Sequence, residues 1–150
     1  MAETQPVENS APEGGLSHVS KNEMEPYDII KEDIEKFNLD LNPDNVYAAL
    51  LKMTQLPNHR IVRANNTLLI IDNLGNGVAD AVIYTADNAP TFVKSLRHLA
   101  AGMKAGGFHL VTLPSSGLAI EKLMKRAGLD FKITPVVENG QKGHKIRVNL

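Results

Sequence analysis

The sequence predicts an α/β fold (α+β mixed sheet) in which helices flank a central mixed β-sheet. Three observations predict it. Two amphipathic helical patterns precede three strand patterns, a strand–helix–strand–helix order occupies the middle of the chain, and two strands joined by a tight turn close it. A strand–helix–strand unit favours parallel neighbours, whereas tight turns join antiparallel ones. We therefore expect a sheet that is antiparallel at both ends and closes with a C-terminal β-hairpin.

Composition and charge limit the organisation. The 150 residues suffice for one domain with a sizeable core. We expect residues 1–26, rich in Glu, Pro, Ser, Asn and Gly, to form a disordered acidic arm and residues 27–150 to form a single domain. The chain has no cysteine, which excludes disulfides and thiolate chemistry. It also has no apolar run of about 18 residues, so we expect no membrane span.

The net charge of −1 is unevenly distributed along the chain. Residues 1–44 carry 11 acidic and 3 basic side chains, whereas residues 45–150 carry 6 and 13. One interpretation is a solvated acidic tail. The other is that the basic part meets an acidic or polyanionic partner, with the arm competing for the same surface.

Four helices are predicted from apolar spacing and end signals. Apolar side chains recur at helical spacing across residues 27–39. A second helix, at about 43–55, follows Asn42 as the N-cap. The longest helix spans 90–105 and ends at Gly106-Gly107, and the last begins near Pro114-Ser115-Ser116 and ends before Gly128.

Six short segments have the composition of strands. The fourth, FHLVTL, is almost wholly apolar, which predicts a central strand buried on both faces. In the third, Val78, Asp80, Val82 and Tyr84 are expected to share one face. The segments are HRIVRA, TLLIIDN, VADAVIYT, FHLVTL, DFKITPVV and GHKIRVNL.

From about residue 43 to 150 the chain resembles the GNAT superfamily of acyl-CoA-dependent N-acyltransferases. The resemblance rests on the element order, on the long helix after VIYTADN and on SSGLAIEKLMKRAGLDF before the closing hairpin. More narrowly, TADN…HLVTLPSSGLAIEKLMKRAGLDF…GHKIRVNL is similar to small GNAT-like internal virion proteins of short-tailed bacteriophages. That similarity implies a location in the virion or host cytoplasm. It also implies other virion proteins as partners, packaged DNA as a further partner, and oligomer formation as an open alternative.

The segment that opens the long helix departs from the family pattern. The resemblance implies a Gln/Arg-x-x-Gly-x-Gly/Ala signature there, whose backbone N–H groups bind the coenzyme A pyrophosphate. Residues 86–91 are instead Ala-Asp-Asn-Ala-Pro-Thr, where Pro90 has no N–H and Asp87 adds a negative charge. We expect Asp87 or Asn88 to cap the helix, and we predict no cofactor. If acetyl-CoA does bind, the resemblance implies contacts with Asn88, Ala89, Thr91 and Lys94.

No catalytic or metal-ligating residue is predicted. The tyrosine that many GNAT enzymes use near the last helix is absent from residues 115–127. Asp72 and Asp80 are candidate general bases, but their proximity to a glycine turn favours exposed turn residues. The five histidines lack metal-site spacing, and His109 is expected to be a hydrogen-bonded core residue.

Three hypotheses for function follow. The first is a non-catalytic structural protein of a bacteriophage virion, in contact with partners through residues 1–40 and the C-terminal hairpin. The second is an active acetyl-CoA-dependent N-acetyltransferase. The third is a basic nucleic-acid-binding module. The residues expected to contact a partner or nucleic acid are Lys122, Lys125, Arg126, Lys145 and Arg147.

Overall fold

The computed structural model describes residues 23–114 and 118–150. Within these ranges the chain forms four helices and six strands, and their bounds lie within a few residues of the predicted ones. The helices are α1 Pro26–Lys36, α2 Pro43–Met53, α3 Ala89–Ala105 and α4 Leu118–Arg126. The strands are β1 His59–Ala64, β2 Thr67–Gly75, β3 Val78–Thr85, β4 Leu110–Pro114, β5 Asp130–Glu138 and β6 Gln141–Asn149. The predicted arm up to residue 22 and the predicted cap at Ser115 and Ser116 lie outside the described residues.

The six strands form one mixed sheet in the order β1-β2-β3-β4-β6-β5. β3 and β4 are parallel neighbours, joined through α3, and the remaining neighbouring pairs are antiparallel. This confirms the mixed sheet with antiparallel ends and the C-terminal hairpin that the sequence predicted.

Helices cover the sheet on two sides. Because side chains alternate along a strand, Leu69 and Ile71 of β2 point to one side and Leu68 and Ile70 to the other. The first pair joins the larger core, under α3 and α4, which we call the back face. The second pair joins a smaller core with Ile29, Ile30 and Ile34 of α1, which we call the front face.

Local signals in the sequence set the helix ends. The Asn42 side chain accepts hydrogen bonds from the backbone N–H groups of Asp44 and Asn45, at 2.9 and 3.2 Å, and so caps α2 as predicted. Gly128 has a φ of +77°, which an L side chain rarely adopts, and it follows the end of α4. Ahead of α1, the Met24 N–H donates to the Asn66 side chain at 3.0 Å.

Hairpin turns of the described chain use residues with positive φ, the first of them Asn65 (φ 51°), between β1 and β2. Asn139 and Gly140 (φ 52° and 77°) join β5 to β6, and Asn76 and Gly77 (φ 57° and 76°) join β2 to β3. The ring of His109 packs against the second turn, and its Nε2 lies 2.9 Å from the Asn76 carbonyl oxygen. His109 is exposed, so its predicted place in the core is wrong, although it does make a hydrogen bond.

The fourth strand is buried on one face, not on both as its composition predicted. Val111 and Leu113 of β4 are buried toward the back face, whereas Leu110 and Thr112 are half-buried on the front. The physical reason is the position of α1 and α2, which pack over β1, β2 and β3. Among the described residues, no helix packs on the front of β4, β6 and β5.

Candidate functional site

The parallel strands β3 and β4 separate toward their carboxyl ends. They pair from Val78 opposite Leu110 to Asp80 opposite Thr112, and no pairing follows. Strand β3 nevertheless continues to Thr85. The carboxyl ends of parallel strands are where open α/β sheets bind ligands, so this gap is the first place to look for a site.

A cleft of about 200 Å³ occupies the gap between the two strand ends. Its walls come from the end of β3, the end of β4, the segment after α1, and the inner sides of α3 and α4. Most of them are apolar, which suits an apolar or extended ligand. The lining residues are Asp33, Phe37, Leu39, Leu41, Val82, Ile83, Tyr84, Thr85, Phe92, Leu113, Pro114, Ile120 and Leu123.

Asp33 of α1 places a buried carboxyl group beside this cleft. The residue is 5% exposed, and its Oδ1 accepts a hydrogen bond from the Thr85 N–H at 3.0 Å. Burial raises the pKa of Asp33 to about 6, although the Thr85 N–H and the nearby Lys36 ammonium both favour the charged form. The sequence analysis did not single out Asp33, but it lies three residues after Ile30 and one before Ile34, on the buried side of α1.

Asp33 also indicates how the free edge of β3 is arranged. The Thr85 N–H points away from β2 toward Asp33. In an antiparallel strand, alternate residues direct their backbone N–H and C=O groups away from the neighbouring strand, and Thr85 is one of these residues in β3. Ile83, two residues earlier, therefore directs its backbone groups to the same side, into the gap. Tyr84 lies between them on the front face, where burial and the Asp33 charge raise its pKa.

The turn between β3 and α3 is built around Asp87, whose side chain is buried. Its oxygens accept hydrogen bonds from the Asn66 N–H at 3.0 Å, the Thr67 hydroxyl at 2.7 Å and the Ser95 hydroxyl at 2.9 Å. Asp87 is 5% exposed and does not cap α3. Asp87, one of the two predicted caps, is therefore not the cap, because its side chain turns inward and ties the β1–β2 turn to α3.

Asn88, one of the two residues predicted as the cap, is the N-cap of α3. The Asn88 side chain accepts a hydrogen bond from the Thr91 N–H at 3.1 Å, and Pro90 occupies the first turn without an N–H to offer. The N–H groups of Ala86 and Asp87 are also engaged, by the Asn66 carbonyl and the Thr85 hydroxyl. Between residues 86 and 91, the N–H groups of Asn88 and Ala89 remain without a hydrogen-bond partner among the described residues.

Lys36, at the end of α1, adds a contact that the sequence did not predict. Its ammonium group donates to the Asp87 carbonyl oxygen at 3.0 Å. Lys94, proposed from the resemblance as a phosphate contact, is exposed on the second turn of α3. Near this turn, Lys94 is therefore exposed, whereas Lys36 is hydrogen-bonded to the Asp87 carbonyl. Most of the backbone N–H groups at the start of α3 already have hydrogen-bond partners.

The five basic residues predicted to contact a partner do not form one patch. Lys122, Lys125 and Arg126 belong to α4, which packs on the back of the sheet through Met124. Lys145 and Arg147 lie on β6, where the intervening Ile146 points to the back core, so they point to the front. A single ligand that contacts all five residues would have to reach around the sheet.

The two aspartates considered as general bases lie within the sheet, not in the turn. Asp72 of β2 and Asp80 of β3 are direct cross-strand partners, and both are half-buried. Asp80 accepts a hydrogen bond from the Thr112 hydroxyl of β4. In the part of the chain that the structure describes, no group of three or more His, Cys, Asp or Glu residues could hold a metal ion.

Comparison with solved structures gives consistent fold relatives. The Brucella melitensis ribosomal-protein-alanine N-acetyltransferase aligns over 85% of this chain and 98% of its own, with a TM-score of 0.54 and 12% identity. A Staphylococcus aureus N-acetyltransferase aligns over 83% and 93%, with a TM-score of 0.52 and 12% identity. The microcin C7 self-immunity acetyltransferase, solved with acetyl-CoA and AMP, aligns over 81% and 82%, with a TM-score of 0.55 and 10% identity.

These relatives define the class of fold. The chain has a GNAT-like fold: a six-stranded mixed sheet, helices on both sides, and a parallel pair of strands that separates toward its carboxyl ends. At 10–12% identity the similarity establishes the fold alone. No family model matches the sequence, and no curated protein matches it. In the described ranges, no helix is long and apolar enough to cross a bilayer.

Proposed function

We propose that this chain is a non-catalytic protein with a GNAT-like fold that acts through contacts with other macromolecules. The observation that carries the proposal is the closed start of α3. The Asn88 side chain accepts from the Thr91 N–H, the Ala86 and Asp87 N–H groups donate to the Asn66 carbonyl and the Thr85 hydroxyl, and Pro90 has no N–H. A pyrophosphate needs several free backbone N–H groups at a helix start, and most of these already have partners within the protein.

The finer form of this proposal is a structural component of a bacteriophage virion. It rests on the sequence similarity of TADN…HLVTLPSSGLAIEKLMKRAGLDF…GHKIRVNL to small internal virion proteins. Its partners would be other virion proteins, and packaged DNA would be a further ligand. Mass spectrometry of purified particles tests the location: the full chain in stoichiometric amounts supports it, and its confinement to the soluble lysate contradicts it.

The non-catalytic proposal is tested by titrating acetyl-CoA into the full chain by calorimetry. We expect no saturable heat up to about 1 mM, which corresponds to binding weaker than about −4 kcal/mol. A thermal-shift series in the same ligand detects binding that releases no heat, because any ligand that prefers the folded state raises its melting temperature. Micromolar binding in either measurement contradicts the proposal.

A Pro90→Gly variant sharpens this test. It restores one backbone N–H at the start of α3 and leaves the Asp87 and Asn88 hydrogen bonds in place. Weak binding that appears in this variant but not in the parent chain would show that the cleft is intact and that the phosphate contacts are missing. Lys104→Ala, an exposed change in the last turn of the same helix, is the matched control for a general change in α3.

A second candidate function, acyl transfer from acetyl-CoA, is favoured by the cleft itself. The separated strands leave the Ile83 backbone open, and the carboxyl group of Asp33 has a pKa of about 6. A carboxyl group that is largely ionised near neutral pH is suited to general-base catalysis. The test is release of coenzyme A from acetyl-CoA in the presence of primary amines. Turnover that Asp33→Asn abolishes supports this function, and absence of turnover leaves the non-catalytic proposal in place.

The nucleic-acid hypothesis has its own test. DNA binding that weakens steeply with salt would indicate phosphate contacts, and charge-neutralising changes on the two faces would locate them. Loss on changing Lys122, Lys125 and Arg126 would place DNA on α4, whereas loss on changing Lys145 and Arg147 would place it on the sheet. Salt-independent binding, or none, contradicts this hypothesis.

A further inference from the structure

The front face of the molecule has the shape of a step. Helices α1 and α2 cover β1, β2 and β3, whereas β4, β6 and β5 carry no helix on this side among the described residues. A helix layer is about 10 Å thick. Three strands spaced by about 4.8 Å, each up to nine residues long, give an open area about 14 Å wide and about 25 Å long. The 11 residues of α1 span about 16 Å, so a helix of this length fits the open area.

The raised half of the step is acidic. Asp28, Glu32 and Glu35 follow one another at spacings of four and three residues, which places them along one side of α1, opposite its buried isoleucines. Glu25 is the N-cap residue just before the helix, and all four side chains are exposed; we call them the acidic stripe. Lys31 and Lys36 flank this acidic stripe, and Lys36 is held by the Asp87 carbonyl.

The open half of the step carries basic side chains in register. Lys132 of β5 lies directly opposite Arg147 of β6, and Lys145 lies two residues before Arg147 on the same face. Like charges at directly opposed positions destabilise a sheet unless an anionic group lies between or above them. Asp130 and Asp80 border the cluster, and Thr112 lies between Asp80 and Arg147 in the same row.

Exposed apolar side chains lie at the junction of the two halves. Leu39 and Leu41, in the segment after α1, are 38% and 50% exposed, and Val82 of β3 is 36% exposed. All three line the cleft at the end of β3. An apolar centre flanked by charges has the anatomy of a protein–protein interface.

We propose that the front face binds a second copy of this chain in a two-fold dimer. A two-fold axis through the apolar junction places the α1 of each copy in the open area of the other. The acidic stripe of one copy then meets Lys132 and Arg147 of its partner copy, and the same contact occurs twice, as an isologous interface requires. The step shape and the charge pattern are therefore both self-complementary.

The area available is adequate for a stable dimer. A specific interface buries about 800 Å² on each partner, and the described chain exposes 8903 Å². One helix face, the open area and the apolar junction together supply a surface of that order. Because the charged contacts are largely at the rim, we expect the dimer to weaken as salt increases.

The test is a charge exchange measured by sedimentation equilibrium on the full chain. Glu32→Lys/Glu35→Lys reverses the stripe, and Lys132→Glu/Arg147→Glu reverses the sheet cluster. We expect a dimer for the parent chain, a dissociation constant at least about tenfold weaker for each variant alone, and recovery in an equimolar mixture of the two. Lys122→Glu/Lys125→Glu, on the opposite face, is the matched control and should dimerise like the parent chain.

A second measurement does not depend on how well the double variants fold. The chain has no cysteine, so Glu35→Cys and Lys132→Cys each introduce a single thiol at an exposed position. Oxidation of an equimolar mixture should produce the mixed disulfide dimer in excess over either like pair, whereas Lys122→Cys mixed with Glu35→Cys should not. A parent chain that is monomeric at all concentrations, equal loss in the α4 control, or a charge-exchange mixture that stays monomeric would each overturn the proposal. A monomer in which the acidic arm covers the open area also counts against it.

Discussion

Replacement of Asp87 by alanine is the sharpest test of the closed turn at the start of α3. The change removes an acceptor that serves three donors, at 3.0, 2.7 and 2.9 Å. Two of these donors keep another partner, since the Thr67 hydroxyl lies 2.7 Å from the Thr85 hydroxyl and the Ser95 hydroxyl lies 3.1 Å from the Thr91 carbonyl oxygen. The Asn66 N–H loses the acceptor that the Asp87 side chain provides.

The cost follows from these contacts. Loss of the hydrogen bond from the half-buried Asn66 N–H costs about 1–3 kcal/mol, and each of the two weakened hydroxyl contacts adds about 1 kcal/mol. The sum is about 4 kcal/mol, a large part of the 5–15 kcal/mol that stabilises a typical domain. With an m value of about 2 kcal/mol/M, the urea midpoint should fall by about 2 M.

Equilibrium urea unfolding at pH 7, followed by far-UV circular dichroism, measures this effect. Asn88→Ala is the matched control, because the neighbouring residue loses one exposed cap hydrogen bond and should cost about 1 kcal/mol. If Asp87→Ala costs no more than Asn88→Ala, the buried carboxylate does not hold the turn together. The turn before α3 would then be held by contacts other than those of the Asp87 side chain.

Two further predictions concern the cleft and the β2–β3 turn. Because the folded pKa of Asp33 lies above its unfolded value of 3.8, its contribution to stability is full below about pH 4 and is lost as the pH rises through 6. The stability of Asp33→Asn relative to the parent chain should therefore rise by about 2 kcal/mol between pH 4 and pH 8, after allowance for solvent screening. Urea unfolding measures this difference, and a difference that stays constant across that range would contradict the raised pKa of Asp33. Gly77→Ala should lower the free energy of unfolding by about 1–3 kcal/mol more than Gly75→Ala does. Both glycines have positive φ, but a Cβ at Gly77 would meet the His109 ring at 2.6 Å, whereas a Cβ at Gly75 would meet nothing within 4 Å. Equal melting temperatures for the two variants would show that the His109 ring moves aside.

Much of the fold could be predicted because its signals are local. Asn42 caps α2 through groups two and three residues away, and the turn at Asn139 and Gly140 needs only its own two residues. The mixed sheet followed from the order of the elements. For the cap and the turn, the physical cause lies within a few residues of the feature that it produces.

The site could be predicted less well because its contacts are distant along the chain. The sequence indicated Asp87 as a possible cap of α3, but its side chain binds donors that include Asn66 and Thr67, about 20 residues earlier. Asp33 meets Thr85, which lies 52 residues away. The apolar composition of β4 indicated burial, yet which face lacks a helix depends on where α1 and α2 end across the sheet. No pattern within a single segment reveals that.

The start of α3 also indicates why stability and cofactor binding conflict at this position. A helix start that receives a phosphate must keep several N–H groups unsatisfied until the ligand arrives, and unsatisfied donors near a protein surface lower stability. Here Asn88 occupies one such donor, and the acceptor oxygens of Asp87 join the turn to β2 and α3. These contacts stabilise the turn in the absence of any ligand. The Thr91 N–H would have to leave the Asn88 side chain before it could bind a phosphate, and the loss of that cap would cost about 1 kcal/mol.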